Sequence, residues 1–204
     1  IDDVSFRLRG NRARISPTDV DMMPLTLTGD VFDFEMKGLA CHLTRQGFLT
    51  INADNRSSAL VNIEDNWFST DEFGHETGTA IKVTNRSARV RVFNNRFNRT
   101  HHWFVGENLD FAHLIDNWIG HVPNSAYGDY EAHGTVQKGR CILQNNIFAG
   151  GPGDPASAGG ANNGINIAHM NFGIRGAAAP DADHLSVILI NNRAQFEAGA
   201  TWFC

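Results

Sequence analysis

The sequence predicts an all-β chain built as a solenoid of stacked strand coils, and three observations predict it. First, a doublet recurs along the chain: Gly10-Asn11, Asp65-Asn66, Asn94-Asn95, Asp116-Asn117, Asn145-Asn146 and Asn191-Asn192, with Met36-Lys37 in the same frame. Second, apolar residues hold fixed places around the second member. Three positions before it stand Leu8, Phe34, Ile63, Val92, Leu114, Leu143 and Leu189. Five before it stand Phe6, Phe32, Val61, Val90, Ala112, Cys141 and Val187, and two after it Ala13, Leu39, Phe68, Phe97, Ile119, Phe148 and Ala194. Third, the residues between these places are mixed, as with Arg7, Asp33, Asn62, Arg91 and His113. Apolar residues at every second position mark a half-buried strand. An Asn-containing corner closes it, because a short carboxamide bonds turn backbone.

Taken in order, each repeat opens with an earlier strand, expected at 24–30, 47–54, 79–85, 103–107, 133–138 and 164–170. These alternate too: Leu25 and Leu27, Leu49 and Ile51, Ile81 and Val83, Ile165 and Ile167 point one way, and Thr26, Thr50, Lys82 and Asn166 the other. The doublet strand, the corner and a short strand follow, and then a variable loop. The corner positions are spaced 26, 29, 29, 22, 29 and 46 residues apart. The longest interval reads as one coil with insertions at 149–163 and 172–183, and a further loop spans 120–134. Six to seven coils at ~4.8 Å each make a rod of about 30 Å. An inward Asn at each corner is expected to bond its own turn and the Asn of the next coil, with the Phe column stacking beside it. Cys141 falls on an inward column and Cys41 close to one, so both are expected to be buried apolar groups.

Composition narrows the function classes. The chain has 204 residues, a net charge of −5 and a pI near 6.0, which points away from nucleic acid as a partner. No apolar run is long enough to cross a bilayer, so membrane insertion is not expected. Three cysteines make no disulfide framework.

The segments Val61-Asn-Ile-Glu-Asp-Asn-Trp-Phe68, Val90-Arg-Val-Phe-Asn-Asn-Arg-Phe97 and Cys141-Ile-Leu-Gln-Asn-Asn-Ile-Phe148 resemble the coils of right-handed parallel β-helices of the pectate-lyase-like superfamily. In style they are most similar to phage tailspike and adhesin domains. The resemblance covers nearly the whole chain, implying one β-helix domain over 1–204, an excerpt of a longer protein. It implies a polysaccharide partner, a homotrimer or larger fibre, and an extracellular or virion-associated location. The lyase and epimerase signature motifs of that superfamily are absent from the sequence, and the fold hosts many activities.

Candidate chemistry therefore rests on the loops. Segment 120–134 carries both tyrosines, Tyr127 and Tyr130, with Asp129, Glu131 and His133. Tyr rings and Trp103 are candidates to stack on sugars. Glu107, Asp110, Asp129, Glu131 and His133 are candidates for acid–base cleavage of a glycosidic bond, where the separation of two carboxylates decides the stereochemistry. The plain alternative is a polar surface loop. A second reading is a secreted uronate lyase, in which the resemblance implies a Lys or Arg base (Lys82 or Arg86) and Ca²⁺ held by acids such as Asp71, Glu72 and Glu76. The first reading requires no cofactor and neither assigns a transition-metal site. The basic residues Lys82, Arg86, Arg89, Arg91, Arg96 and Arg99 also fit a solvated or inter-subunit band. A third reading is a non-catalytic fibre segment with the doubly apolar strand 184–192 at its interface. Hydrolysis, elimination and binding without cleavage all stay open at this level.

Overall fold

The computed structural model describes residues 4–17, 19, 21–29, 31–53, 60–69, 79–84, 89–98, 102–107, 109, 111–120, 133–136, 139–150, 169–172 and 185–196. These residues form strands and turns, with no helix among them. The doublet strands are β1 (Val4–Ile15), β3 (Val31–His42), β5 (Leu60–Glu64), β8 (Arg89–Phe93), β11 (Phe111–Ile115), β14 (Gly139–Gln144) and β17 (Leu185–Ile190). The short strands after the corner are β6 (Trp67–Ser69), β9 (Arg96–Asn98), β12 (Trp118–Gly120), β15 (Ile147–Gly150) and β18 (Arg193–Phe196). The earlier strands are β2 (Leu25–Gly29), β4 (Gly47–Ala53), β7 (Thr79–Thr84), β10 (His102–Glu107), β13 (His133–Val136) and β16 (His169–Phe172).

Each strand pairs in parallel with its counterpart one repeat away. One sheet follows the order β17-β14-β11-β8-β5-β3-β6-β9-β12-β15-β18, with β1 also on β3, and a second follows β16-β13-β10-β7-β4-β2. Parallel neighbours need a long crossover, and the rest of each repeat supplies it. The path bends at β3, which pairs with β5 through residues 33–37 and with β6 through residues 40–42.

The corner explains the doublet. Its first residue takes the left-handed conformation, with φ of 58° at Asp65, 51° at Asn94, 53° at Asp116, 55° at Asn145 and 50° at Asn191. Asn and Asp tolerate that region better than other L residues. The second residue turns inward, and Asn66, Asn95, Asn117 and Asn146 are at most 2 % exposed. Their carboxamides form a ladder. Each Nδ2 donates to the Oδ1 of the next Asn: Asn66 to Asn95 at 3.1 Å, Asn95 to Asn117 at 3.2 Å, Asn117 to Asn146 at 3.0 Å and Asn146 to Asn192 at 2.9 Å. Each Nδ2 also donates back to a carbonyl of the previous repeat, as from Asn95 to Ile63, Asn117 to Val92 and Asn146 to Leu114. Only Asn95 among these bonds a carbonyl of its own turn, that of Phe93. The ladder therefore ties repeat to repeat more than it ties each turn to itself.

Two repeats depart from the expected frame. Leu39, not Lys37, stands opposite Asn66, since its N–H donates to Asn66 Oδ1 at 3.0 Å. Gly38 (φ 72°) takes the left-handed place, so Phe34 and Met36 fill the apolar positions expected for Phe32 and Phe34. In β1 the left-handed residue is Arg12 (φ 58°), and Ala13 pairs with Leu39, two residues beyond the expected Gly10-Asn11. The strand expected at 164–170 lies at His169–Phe172, and residues 164–168 fall outside the description. Segment 120–134 overlaps β12 and β13 at its ends, and its residues 121–132, with most of 149–163 and 172–183, also fall outside it.

The inward columns make one core. Phe34, Met36, Val61, Ile63, Val92, Leu114 and Cys141 are essentially inaccessible, and fully burying such side chains stabilises by about 1.5–3 kcal/mol each. Phe68 stacks on Phe97 with centroids 5.0 Å apart and planes 3° from parallel. The ring stack stops at the next repeat, where Ile119 holds the same register position. No helix among the described residues is long and apolar enough to cross a membrane.

Candidate functional site

Outward positions of the doublet strands lie in rows that cross the sheet. Cross-strand register places Leu60, Arg89, Phe111 and Arg140 in one row, and Asn62, Arg91, His113 and Ile142 in the next. Neighbouring strands are ~4.8 Å apart, so residues far apart in sequence become neighbours. Leu60, Arg89, Val90, Arg91, Phe111, His113 and Arg140 line an open cleft of about 630 Å³.

The cleft concentrates positive charge on a chain whose net charge is −5. Three of its lining residues are arginines and none is acidic. All three arginines are exposed. Among the described residues, Arg91 and Arg140 have no ion-pair partner. The Arg91 guanidinium instead lies 4.8 Å from the Phe93 ring centre, a cation–π contact that leaves its outer N–H groups available. Phe111 meets His113 edge-on, with centroids 5.8 Å apart. A ring nitrogen of His113 lies 3.4 Å from Gln144 Oε1. Guanidinium groups are planar, permanently charged and suited to carboxylate or sulfate oxygens. The half-buried Phe111 ring lies between Arg89 and Arg140 in its row, so an apolar platform is flanked by two positive charges.

The residues expected from sequence to carry chemistry are placed as follows. Trp103 is an internal side chain: it is 0 % exposed and packs against Phe97 at 5.4 Å and Phe104 at 5.9 Å. Its ring thus faces the core, not a saccharide. Lys82 points outward on β7, opposite Thr50 and Val105, in the other sheet from the arginine cleft. Glu107 ends β10 and pairs with Thr84, and His133 opens β13 in register with His102 and His169; the side chains of both lie outside the description. Asp110, Tyr127, Asp129, Tyr130, Glu131 and Arg86, and the acids Asp71, Glu72 and Glu76, also lie outside the described residues. Among described residues, no group of three or more His, Cys, Asp or Glu could hold a metal ion.

Phe111, His113 and Arg140 were not legible as a site along the chain. The signal that finds them is the sixth and fourth positions before each corner Asn, compared across repeats. Compared with known proteins, the chain matches no family model, no curated protein and no solved structure.

Proposed function

We propose that the chain is a parallel β-helix of tailspike or adhesin type that binds a polysaccharide on the outer face of β5, β8, β11 and β14. Parallel pairing of equivalent strands in successive repeats, with the Asn ladder running between them, supports the architecture. The arginine cleft around Phe111 carries the functional reading. It sets an apolar ring beside guanidinium hydrogen-bond donors, the combination that suits a sugar polymer with acidic groups. Affinity electrophoresis of the 204-residue chain through gels containing defined polysaccharides tests it. Retention by at least one polysaccharide, weakened in Arg140→Ala, is the expected result. Unchanged mobility in every gel overturns it. Assays for new reducing ends and for ultraviolet-absorbing unsaturated products, on the same mixtures, separate hydrolysis, elimination and binding without cleavage.

A second reading, the non-catalytic fibre segment, is favoured by β17. It pairs only with β14 among the described strands, and its Ile188, Leu189 and Ile190 are 48 %, 57 % and 38 % exposed. Leu189 continues the inward column of Leu143, so an apolar column ends uncovered there. Sedimentation as a trimer that dissociates on Leu189→Glu supports the fibre reading, and a monomer at all concentrations removes it.

A further inference from the structure

We infer that a second sugar-binding site, suited to a pyranose bearing a carboxylate, lies on the outer face of β6, β9 and β12, around Trp67, Arg96 and Trp118. It shares no residue with the arginine cleft, so either site can fail without the other. Register places Trp67, Arg96 and Trp118 side by side on these three consecutive parallel strands. The Arg96 guanidinium lies over both indoles, 4.5 Å from the Trp118 ring centre and 5.8 Å from that of Trp67. Cation–π contact with two rings holds the guanidinium in place and leaves N–H groups at its rim. Arg96 is exposed, and among the described residues it enters no ion pair. Trp67 is 50 % exposed and Trp118 is half-buried.

The full row runs Arg14, Ala40, Trp67, Arg96, Trp118, Ile147 and Arg193, with no acid in it. Arg14 is engaged with His42, and the site does not use it. Ala40 brings only a methyl group beside the Trp67 ring. Two residues further along the strands, on the same face, Ser69 and Asn98 are neighbours, with Asn98 Nδ2 3.5 Å from Ser69 Oγ. Both keep spare hydrogen-bonding capacity. Across the corner, the Asp65 carboxylate is taken up by Lys37 and Asn94, and Asp116 is exposed. These parts favour one occupant. A pyranose has an apolar C–H face to lay on an exposed indole and a hydroxyl rim for an amide and a hydroxyl to bond. The guanidinium adds a demand for an anion. An apolar partner covering the rings would strip water from Arg96 without supplying an acceptor, and a neutral sugar would use the rings alone. A carboxylate on the sugar supplies the charge-assisted bond.

Fluorescence titration of the 204-residue chain tests the site, with trigalacturonate and a hyaluronan tetrasaccharide as acidic probes and maltotetraose as the neutral one. No tryptophan lines the arginine cleft, so a change in tryptophan emission reports the row. At least one acidic probe should change the emission and bind more tightly than maltotetraose. Calorimetry follows the variants. Trp67→Ala should weaken that probe about two- to tenfold. Arg96→Ala should cut its advantage over maltotetraose about two- to fivefold at low salt, and less as salt rises. Arg140→Ala, in the cleft, should leave the emission change intact. Far-ultraviolet dichroism checks that each variant keeps its strands. Unchanged emission with all three probes overturns the site and leaves the row as a stack that only stabilises the sheet. Binding that survives Trp67→Ala and is lost in Arg140→Ala also overturns it, and assigns the sugar to the cleft alone. An advantage for the acidic probe that persists in Arg96→Ala overturns the role of the guanidinium. An oligomer that dissociates on Trp67→Ala and binds no probe overturns the site in favour of an interface between copies.

Discussion

Replacing Asn95 with Ala separates the ladder from the rest of the corner. The Asn95 carboxamide is 2 % exposed. Its oxygen accepts the Asn66 backbone N–H at 2.9 Å and the Asn66 side-chain amide at 3.1 Å. Its two amide hydrogens are shared among three oxygens, those of Ile63, Phe93 and Asn117. Several partners keep another bond after the change: Asn66 Nδ2 still reaches Met36, Asn117 Oδ1 still accepts the Asn95 backbone N–H, and the Phe93 carbonyl still accepts Asp65 N–H. The Asn66 backbone N–H is the group left without its described partner. A buried donor in that state costs about 1–3 kcal/mol, and the weakened bonds to Ile63 and its neighbours about 1 more. The expected loss is about 2–4 kcal/mol. Adjacent Asn94 offers the control. It is exposed and left-handed (φ 51°); its side chain donates to Asp65 Oδ1, and its backbone N–H donates to the Ile115 carbonyl, a bond that glycine keeps, so Asn94→Gly should cost under ~1 kcal/mol. Urea unfolding at constant m-value reads both. If Asn95→Ala costs no more than Asn94→Gly, the ladder is not what holds the corners together.

Gly47→Ala should cost about 3 kcal/mol or more, because the added carbon would lie 1.9 Å from the Thr79 carbonyl oxygen and the backbone has φ 115°; thermal unfolding measures it, and a near-neutral effect would contradict the pairing of β4 with β7. Burial pushes the Cys141 thiol up to about 12 and the Cys41 thiol well above its ordinary value. Both should therefore resist alkylation at pH 8 until the chain unfolds, as read by peptide mass spectrometry, and rapid labelling of the folded protein would show that these columns open. Arg9 hydrogen-bonds Glu35 and holds its carboxyl below the ordinary 4.5. That contribution is present above pH 4.5 and is lost as the pH falls through the lower folded value. Glu35→Gln should remove part of the acid-side fall in Tm, and an identical acid profile would refute the link.

The inward columns were legible because a period of two, interrupted at a constant corner, leaves its mark wherever one face is buried. Ile63, Val92, Leu114, Leu143 and Leu189 stand in register as the spacing requires. The frame slipped at Gly38-Leu39 because the corner requires a backbone conformation, which glycine meets without a carboxamide, and at Arg12-Ala13 an arginine takes the same left-handed place. Trp103 was misplaced for another reason. Alternation assigns it the face opposite Phe104, yet both are buried, beside a register irregularity between His102 and Phe104. The arginine cleft stayed hidden because Arg89, Phe111 and Arg140 are neighbours only across strands. Read along one repeat, Arg89 and Arg91 look like an ordinary solvated band.

The ladder also has a consequence for how such a chain can change. The bond from Asn95 to Asn117 closes an interval of 22 residues, and that from Asn146 to Asn192 closes one of 46. The same amide contact receives either length. Each corner thus works as an address at which the chain must arrive, indifferent to the route it took. New sequence can enter between addresses without disturbing those on either side, so the loops are free to diversify, or to accept a grafted segment, while the stack beneath them keeps its register.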